Sequence, residues 1–183
     1  FIKPLCDFFI ALFLLIILSP IILFTTILLF LANNGKVFFF QQRPGLNSKP
    51  FKIVKFKTMR DAFDKNGVPL QDEFRLTRIG GFIRSTSLDE LLQLVNVLKG
   101  DMSWVGPRPE VGFYFERYKG MDPSFAKRQQ CRPGITGLAQ LKNPDATPEH
   151  SLEKLPYDLL YIDQASLLMD LRILLQSFFL VWK

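Results

Sequence analysis

The stretch Arg84-Ser-Thr-Ser-Leu-Asp-Glu-Leu-Leu-Gln-Leu-Val-Asn-Val-Leu-Lys-Gly100 holds the adjacent acid pair around which the chain is arranged. Ser87 followed three residues later by Glu90 has the spacing of a capping box. Leu88, Leu91, Leu92, Val95 and Leu98 recur at helical intervals, so the pattern predicts a helix that starts at Ser87 and ends at Gly100. Asp89 would then lie in the first turn, where the helix dipole and unpaired backbone N–H groups favour an ionised carboxylate and make a site for phosphate. The structural alternative is that both acids are ordinary first-turn residues and Glu90 only caps. Neighbouring helical positions point about 100° apart, so the two cannot approach one atom along the same line. Asp89 is the better candidate for chemistry, because capping already accounts for Glu90.

Upstream, Phe8 to Ala32 carries no charge and is interrupted only by Ser19-Pro20 and Thr25-Thr26. As a straight helix it would be roughly 38 Å long, enough to cross a bilayer's hydrocarbon core. A signal peptide fits badly, since the run is long and no small-residue cleavage site comes after it. Pro20 lies near the midpoint, removes a backbone donor and crowds the carbonyl a turn earlier, which Ser19 could help satisfy. A bend at Ser19-Pro20 would return the second half to the face it entered from. The alternative is a single kinked helix that spans. Seven Lys or Arg and no acid lie between Lys36 and Arg60, which places the chain beyond the apolar run on the cytoplasmic side. Lys3 in the other flank is compatible with both ends there.

The chain has 183 residues, a formal net charge of +6 and 19 Phe, and 48% of its residues are hydrophobic. Basicity joined to such apolarity points to an anionic membrane surface or phosphorylated substrates. Phe and Lys alternate over Phe51 to Lys57, but no nucleic-acid module surrounds them, so nucleic acid is not expected as a partner. Cys6 and Cys131 have no motif spacing, which fits a reducing compartment without disulfides. The single histidine, His150, is read as surface, which leaves neither a histidine zinc site nor a histidine triad.

Val37 to Gln42 and Phe51 to Lys57 read as short strands about a turn at Pro44-Gly45-Leu46-Asn47, and Asp61 to Asp72 reads as a loop. Arg78 and Arg84 precede the acid pair. Downstream, Gly106-Pro-Arg-Pro109 is a stiff loop that presents Arg108, and its prolines offer no N–H, so any phosphate there would need the guanidinium. Residues 110 to 130 read as mainly helical, Cys131 to Gln140 as a loop entering a strand with Arg132, and Asn143 to His150 as a loop. Ser166 is a plausible N-cap for a last helix rich in Leu and Phe with Trp182 near its end; that helix lies in the membrane interface or completes the core. Tyr157 and Tyr161 share a helix face, with core packing as the default reading. The expected fold class is α+β: mainly helical with short strands, residues 1–35 a kinked membrane anchor and 36–183 a cytoplasmic domain.

Several segments occur in the order of a known family: Ser19-Pro20, Phe51-Lys-Ile-Val-Lys-Phe-Lys-Thr-Met59, Ser87-Leu-Asp-Glu-Leu91 and Asn96-Val-Leu-Lys-Gly-Asp-Met-Ser103. Gly106-Pro-Arg-Pro109, Arg132-Pro-Gly-Ile-Thr-Gly-Leu-Ala-Gln140 and Tyr157-Asp158 continue the series. Nearly the whole chain thus resembles the bacterial sugar transferases, monotopic polyprenyl-phosphate phosphoglycosyl transferases, and most closely their small PglC type. The resemblance implies a re-entrant anchor broken at Ser19-Pro20, at the cytoplasmic face of a bacterial inner membrane. It implies transfer of a sugar 1-phosphate from a UDP-sugar to polyprenyl phosphate, with release of UMP and with glycosyltransferases acting downstream. It further implies that Asp89 is the nucleophile, that Glu90 assists, and that Mg²⁺ binds at the acid pair through Asp89. Lys55, Arg84, Arg108 and Arg132 are the candidates for phosphate and nucleotide contacts. Leu92 departs from the proline usual at that point, and activity is expected to survive the change; the larger members' additional membrane domain is not expected in this minimal form. Competing readings are a silent membrane-surface scaffold and hydrolysis of a UDP-sugar.

Overall fold

The computed structural model describes residues 2–68, 70–144 and 147–181. Helix α1 (Ile2–Ala32) is followed by strands β1 (Phe38–Pro44) and β2 (Pro50–Phe56), short helix α2 (Asp72–Arg75), α3 (Arg78–Ser85) and α4 (Gln93–Leu98). Strand β3 (Ser103–Val105), α5 (Gly112–Met121), β4 (Gly134–Thr136), α6 (Leu138–Lys142), α7 (Leu155–Gln164) and α8 (Leu167–Val181) complete the order. The mainly helical α+β class is as expected. The chain forms two compact units that interleave along the sequence: one drawn from Phe1–Ile10, Gln42–Lys52 and Asn96–Lys183, the other from Ala11–Gln41 and Ile53–Val95. The expected division at 35/36 is one of environment, membrane against water, whereas these units are divisions of packing.

Helix α1 is apolar on nearly every side, and most of its large side chains are exposed, as suits lipid rather than a protein core. The helix is continuous through Pro20, and Ser19 Oγ donates to the carbonyl of Ile16 at 2.7 Å. That carbonyl is the one whose helical donor Pro20 lacks. At its end Asn34 and Gly35 take left-handed φ values of 50° and 81°, which turns the chain back toward β1.

In the acid-pair unit, Leu29 of α1, Val37, Phe56 of β2, Ile83 of α3 and Leu92 form the core. Leu92 is thus a packing residue. Gly80 lets α3 lie directly on the chain leaving β2, since a Cβ there would fall 1.9 Å from the carbonyl oxygen of Thr58. Thr77 caps α3 by accepting from Gly80 N at 2.9 Å.

In the other unit, β3 and β4 pair in parallel, with Ser103 opposite Gly134 and Val105 opposite Thr136. One core joins Phe115, Tyr118, Phe125 and Leu155; a second joins Val105, Tyr161 and Ile173. The default reading of Tyr161 holds: its hydroxyl donates to Asp170 Oδ1 at 2.7 Å and lies 3.0 Å from the carbonyl of Val105. Ser166 caps α8, accepting from Met169 N at 3.2 Å. Both readings of α8 find a face: Asp170 and Ile173 are buried, while Leu167, Leu168, Leu171, Leu175, Phe178 and Phe179 are exposed. Trp182 lies outside the described residues. The beginning of α1 also belongs here, with Lys3 paired to Asp170, Ser103 Oγ donating to Asp7 Oδ2 at 2.6 Å and Trp104 Nε1 donating to the carbonyl of Asp7 at 3.1 Å.

Candidate functional site

The helix expected from Ser87 to Gly100 forms only in its second half. Ser87 sits in the left-handed region with φ 56°, Leu88–Glu90 make a single 3-10 turn, and α4 begins only at Gln93. A capping serine needs an extended backbone to aim its oxygen at the following N–H groups, and Ser87 makes no side-chain cap bond. Glu90 is engaged elsewhere: it accepts from Lys55 Nζ of β2 at 2.6 Å.

Asp89 is 8% exposed. Its ionisation also departs from expectation, because a lone 3-10 turn supplies little dipole and burial strips water from the carboxylate. Burial pushes the carboxyl above its ordinary range; Lys55 opposes this, Glu90 adds to it, and Arg84 opposes it again. Lys55 Nζ lies 4.0 Å from Asp89 Oδ2. One unit therefore brings together four of the expected residues: Lys55 from β2, Arg84 from the last turn of α3, and Asp89 and Glu90 from the turn between α3 and α4.

Arg108 and Arg132 belong to the other unit. Arg132 packs beside Gly100, whose φ of 76° makes the turn after α4, and both line a cleft of about 180 Å³ with Lys49, Asn47 and Asp101. Arg108 rises from a loop whose three consecutive carbonyls are each held: Pro107 by Gly134 N at 3.0 Å, Arg108 by Arg128 Nη2 at 3.0 Å and Pro109 by Arg43 Nη1 at 3.0 Å. Arg128 in turn donates from Nε to Asp158 Oδ2 at 2.8 Å, and its Nη1 lies 3.7 Å from Glu110 Oε1. Burial raises the Asp158 carboxyl, Arg128 opposes the rise, and Glu110 reinforces it.

Sequence reading missed Arg128, Glu110, Ser151 and Arg43. Arg128 follows Lys127 and precedes two glutamines, a pattern that resembles a solvated surface; only its pairing with a residue 30 positions away reveals it. Lys3 and Asp7, spaced four apart, carried a local signal that went unused. His150 is exposed, as read, and the two cysteines are free.

Among the described residues no group of three or more His, Cys, Asp or Glu side chains could hold a metal. That excludes an all-protein cage of such ligands there and leaves the mode in which one or two carboxylates share an ion with substrate phosphates. Asp89 and Glu90 are hard oxygen donors of that kind, so the acid pair fits Mg²⁺.

The model of a family described as bacterial sugar transferase matches residues 1–183. The chain belongs to that family. An uncharacterized sugar transferase of Bacillus subtilis, EpsL, is 46% identical over 172 residues, covering 94% of this chain and 83% of that protein. A UDP-glucose:undecaprenyl-phosphate glucose-1-phosphate transferase of Klebsiella pneumoniae is 39% identical, over 97% of this chain and 39% of its own length. A UDP-N-acetylgalactosamine-undecaprenyl-phosphate N-acetylgalactosaminephosphotransferase of Aeromonas hydrophila is 37% identical, over 97% of this chain and 43% of its own length. The chain thus spans less than half of these last two proteins.

Proposed function

We propose that this sugar transferase moves a sugar 1-phosphate from a UDP-sugar to a polyprenyl phosphate of the undecaprenyl class, through a covalent intermediate on Asp89. The observation that carries the reading is a buried carboxylate, Asp89, set beside a second acid and within reach of Lys55 and Arg84. Asp89 Oδ attacks the β-phosphorus, the bond from that phosphorus to the bridging oxygen breaks, and UMP leaves. An oxygen of the polyprenyl phosphate then attacks the same phosphorus and the carboxylate departs, leaving a polyprenyl-diphosphate sugar. A desolvated carboxylate is the stronger nucleophile, and Lys55 and Arg84 favour the anion it needs. Glu90 assists by holding the Lys55 ammonium beside the reacting oxygen. Arg84, Arg108 and Arg132 serve the diphosphate and the nucleotide, since phosphoryl transfer depends on positioning and charge neutralisation. Asp89, with Glu90 beside it, would hold Mg²⁺, which when bound neutralises charge on the transferred phosphate. Relatives named for glucose and for N-acetylgalactosamine align over nearly all of the chain, so the donor is named by its common part, a UDP-sugar.

The protein works from the cytoplasmic face of the bacterial inner membrane with a re-entrant anchor, and hands its lipid product to glycosyltransferases. What supports the reading is the anchor's own sequence: a charge-free run interrupted at Ser19-Pro20, with Lys3 in one flank and the basic residues from Lys36 to Arg60 in the other. A shallow anchor keeps Asp89 near the headgroup plane, where a polyprenyl phosphate carries its reacting group.

The test is UMP release by membrane-embedded protein from a panel of UDP-sugars, with and without undecaprenyl phosphate and Mg²⁺. Release that requires lipid and metal supports transfer. Sustained multiple-turnover release without lipid would show hydrolysis instead, and silence across the panel with folded protein would favour a scaffold.

A further inference from the structure

The buried ion cluster of the second unit lies under the Arg108 loop, and the steps proposed above do not use it. Pro107 and Pro109 carry no N–H, so the backbone of these two residues can be held by hydrogen bonds only through their carbonyls. All three carbonyls from Pro107 to Pro109 are taken, two of them by guanidinium groups from distant segments: Arg128 on Arg108 and Arg43 on Pro109. Arg108 and Pro109 are only partly buried, where water could satisfy a carbonyl at little cost, so two guanidinium groups brought from distant segments do more than fill hydrogen bonds.

Arg128 is 5% exposed, Asp158 1% and Glu110 7%. Burying charges in this way adds little net stability compared with apolar packing of the same shape, so the arrangement points to a geometric purpose. The Arg128 fork divides its donors: Nε to Asp158 at 2.8 Å, Nη2 to the Arg108 carbonyl at 3.0 Å, and Nη1 facing Glu110 at 3.7 Å. Ser151 Oγ donates to Glu110 Oε1 at 2.6 Å, and the Phe125 ring underlies the guanidinium at 4.6 Å. The plane of the fork is thereby fixed on every side. A lysine could reach one of these acceptors and could not reproduce the planar set.

We propose that Arg128, oriented by Asp158, and Arg43 are positioning residues that clamp the Pro107–Pro109 backbone and so set the direction in which the Arg108 guanidinium leaves it to bind substrate phosphate. The inference rests on the reading of Arg108 as a phosphate-binding residue. Neither clamp touches substrate; each acts through the direction in which Arg108 leaves the backbone. Displacing a positioning group by about 1 Å can cost on the order of 100-fold in rate, and the clamps hold Arg108 against that drift.

The experiment is a double-mutant cycle on membrane-embedded full-length protein, read by UMP release as kcat and KM for the UDP-sugar, with thermal unfolding measured on each variant. Arg128→Lys is expected to lower kcat/KM roughly 10- to 100-fold. In an Arg108→Ala background the same change is expected to cost less than about 3-fold, because there is no longer a guanidinium to aim. Arg43→Met, which removes the Pro109 clamp without entering the ion cluster, is expected to repeat the pattern at smaller amplitude and keeps the test available if Arg128→Lys does not fold. Losses that simply multiply in the folded double variants overturn the positioning role, as does a wild-type kcat/KM in folded Arg43→Met and Arg128→Lys. Failure of the wild-type protein to release UMP would instead overturn the functional reading, and the two failures are separable.

Discussion

The Lys55 ammonium stands 4.0 Å from Asp89 Oδ2 while its hydrogen bond, at 2.6 Å, goes to Glu90 Oε1. Lys55 thus supplies charge to Asp89 without occupying the lone pair a nucleophile needs, and Glu90 serves as the holder of that charge. Removing the charge and keeping the volume, as in Lys55→Met, is expected to lower kcat for UMP release by roughly 100-fold or more, the order seen when one preorganised charge-stabilising group is lost. Glu90→Gln, which loosens the holder, is expected to cost less. Near wild-type turnover in folded Lys55→Met would remove Lys55 from the site.

The seat of α3 on the strand exit gives a stability prediction. A methyl at Gly80 would meet the Thr58 carbonyl oxygen at 1.9 Å, and a backbone atom cannot swing aside. Gly80→Ala is expected to destabilise by roughly 1–3 kcal/mol through overpacking. Gly67→Ala is a contrasting case, where φ is 77° but nothing lies within 4 Å, so only backbone strain remains. Equal unfolding midpoints for the wild type and Gly80→Ala would contradict the contact.

Much of the fold was legible because its signals are local. The charge-free run, the Pro-Gly turn between two Phe-rich strands and the serine before α8 each specify their element within a few residues. The acid-pair segment read wrongly because its local signal, Ser87 to Glu90, was overruled by a residue 35 positions away: Lys55 takes Glu90, Ser87 turns left-handed, and the helix starts late at Gln93. Asp89, Glu90, Lys55 and Arg84 are candidates in the sequence that one unit brings together, but the direction of the Asp89 shift depends on burial, which no spacing shows. The Arg43 and Arg128 clamps were illegible for the same reason, since each joins segments separated in the chain.

Cys131 provides a signed pH test. Burial, with Asp158 and Asp170 adding and Lys3 and Arg128 opposing, pushes its thiol from 9.0 up to about 11. The fold therefore favours the neutral thiol, a contribution fully present below about pH 9 and lost as pH rises toward about 11. At pH 8 the thiol is held neutral, so native Cys6→Ser protein is expected to resist iodoacetamide, with labelling appearing on unfolding. Rapid stoichiometric labelling of native protein at that pH would contradict the neutral, partly buried state of Cys131.

The anchor's topology predicts the side from which its ends are reached. Single cysteines at Lys3 and Asn33, in a protein otherwise free of cysteine, are expected to react with an impermeant maleimide only from the cytoplasmic side of oriented vesicles. Reaction of the two from opposite sides would establish a spanning helix.

The covalent intermediate is the central claim, and intact-mass measurement tests it most directly. Membrane-embedded protein mixed with its UDP-sugar and Mg²⁺, with polyprenyl phosphate withheld, is expected to gain the mass of one sugar phosphate on Asp89, to lose it when the lipid is added, and to gain nothing as Asp89→Asn. An adduct that persists in Asp89→Asn, or lipid-dependent UMP release with no adduct at any time in the reaction, would contradict the account.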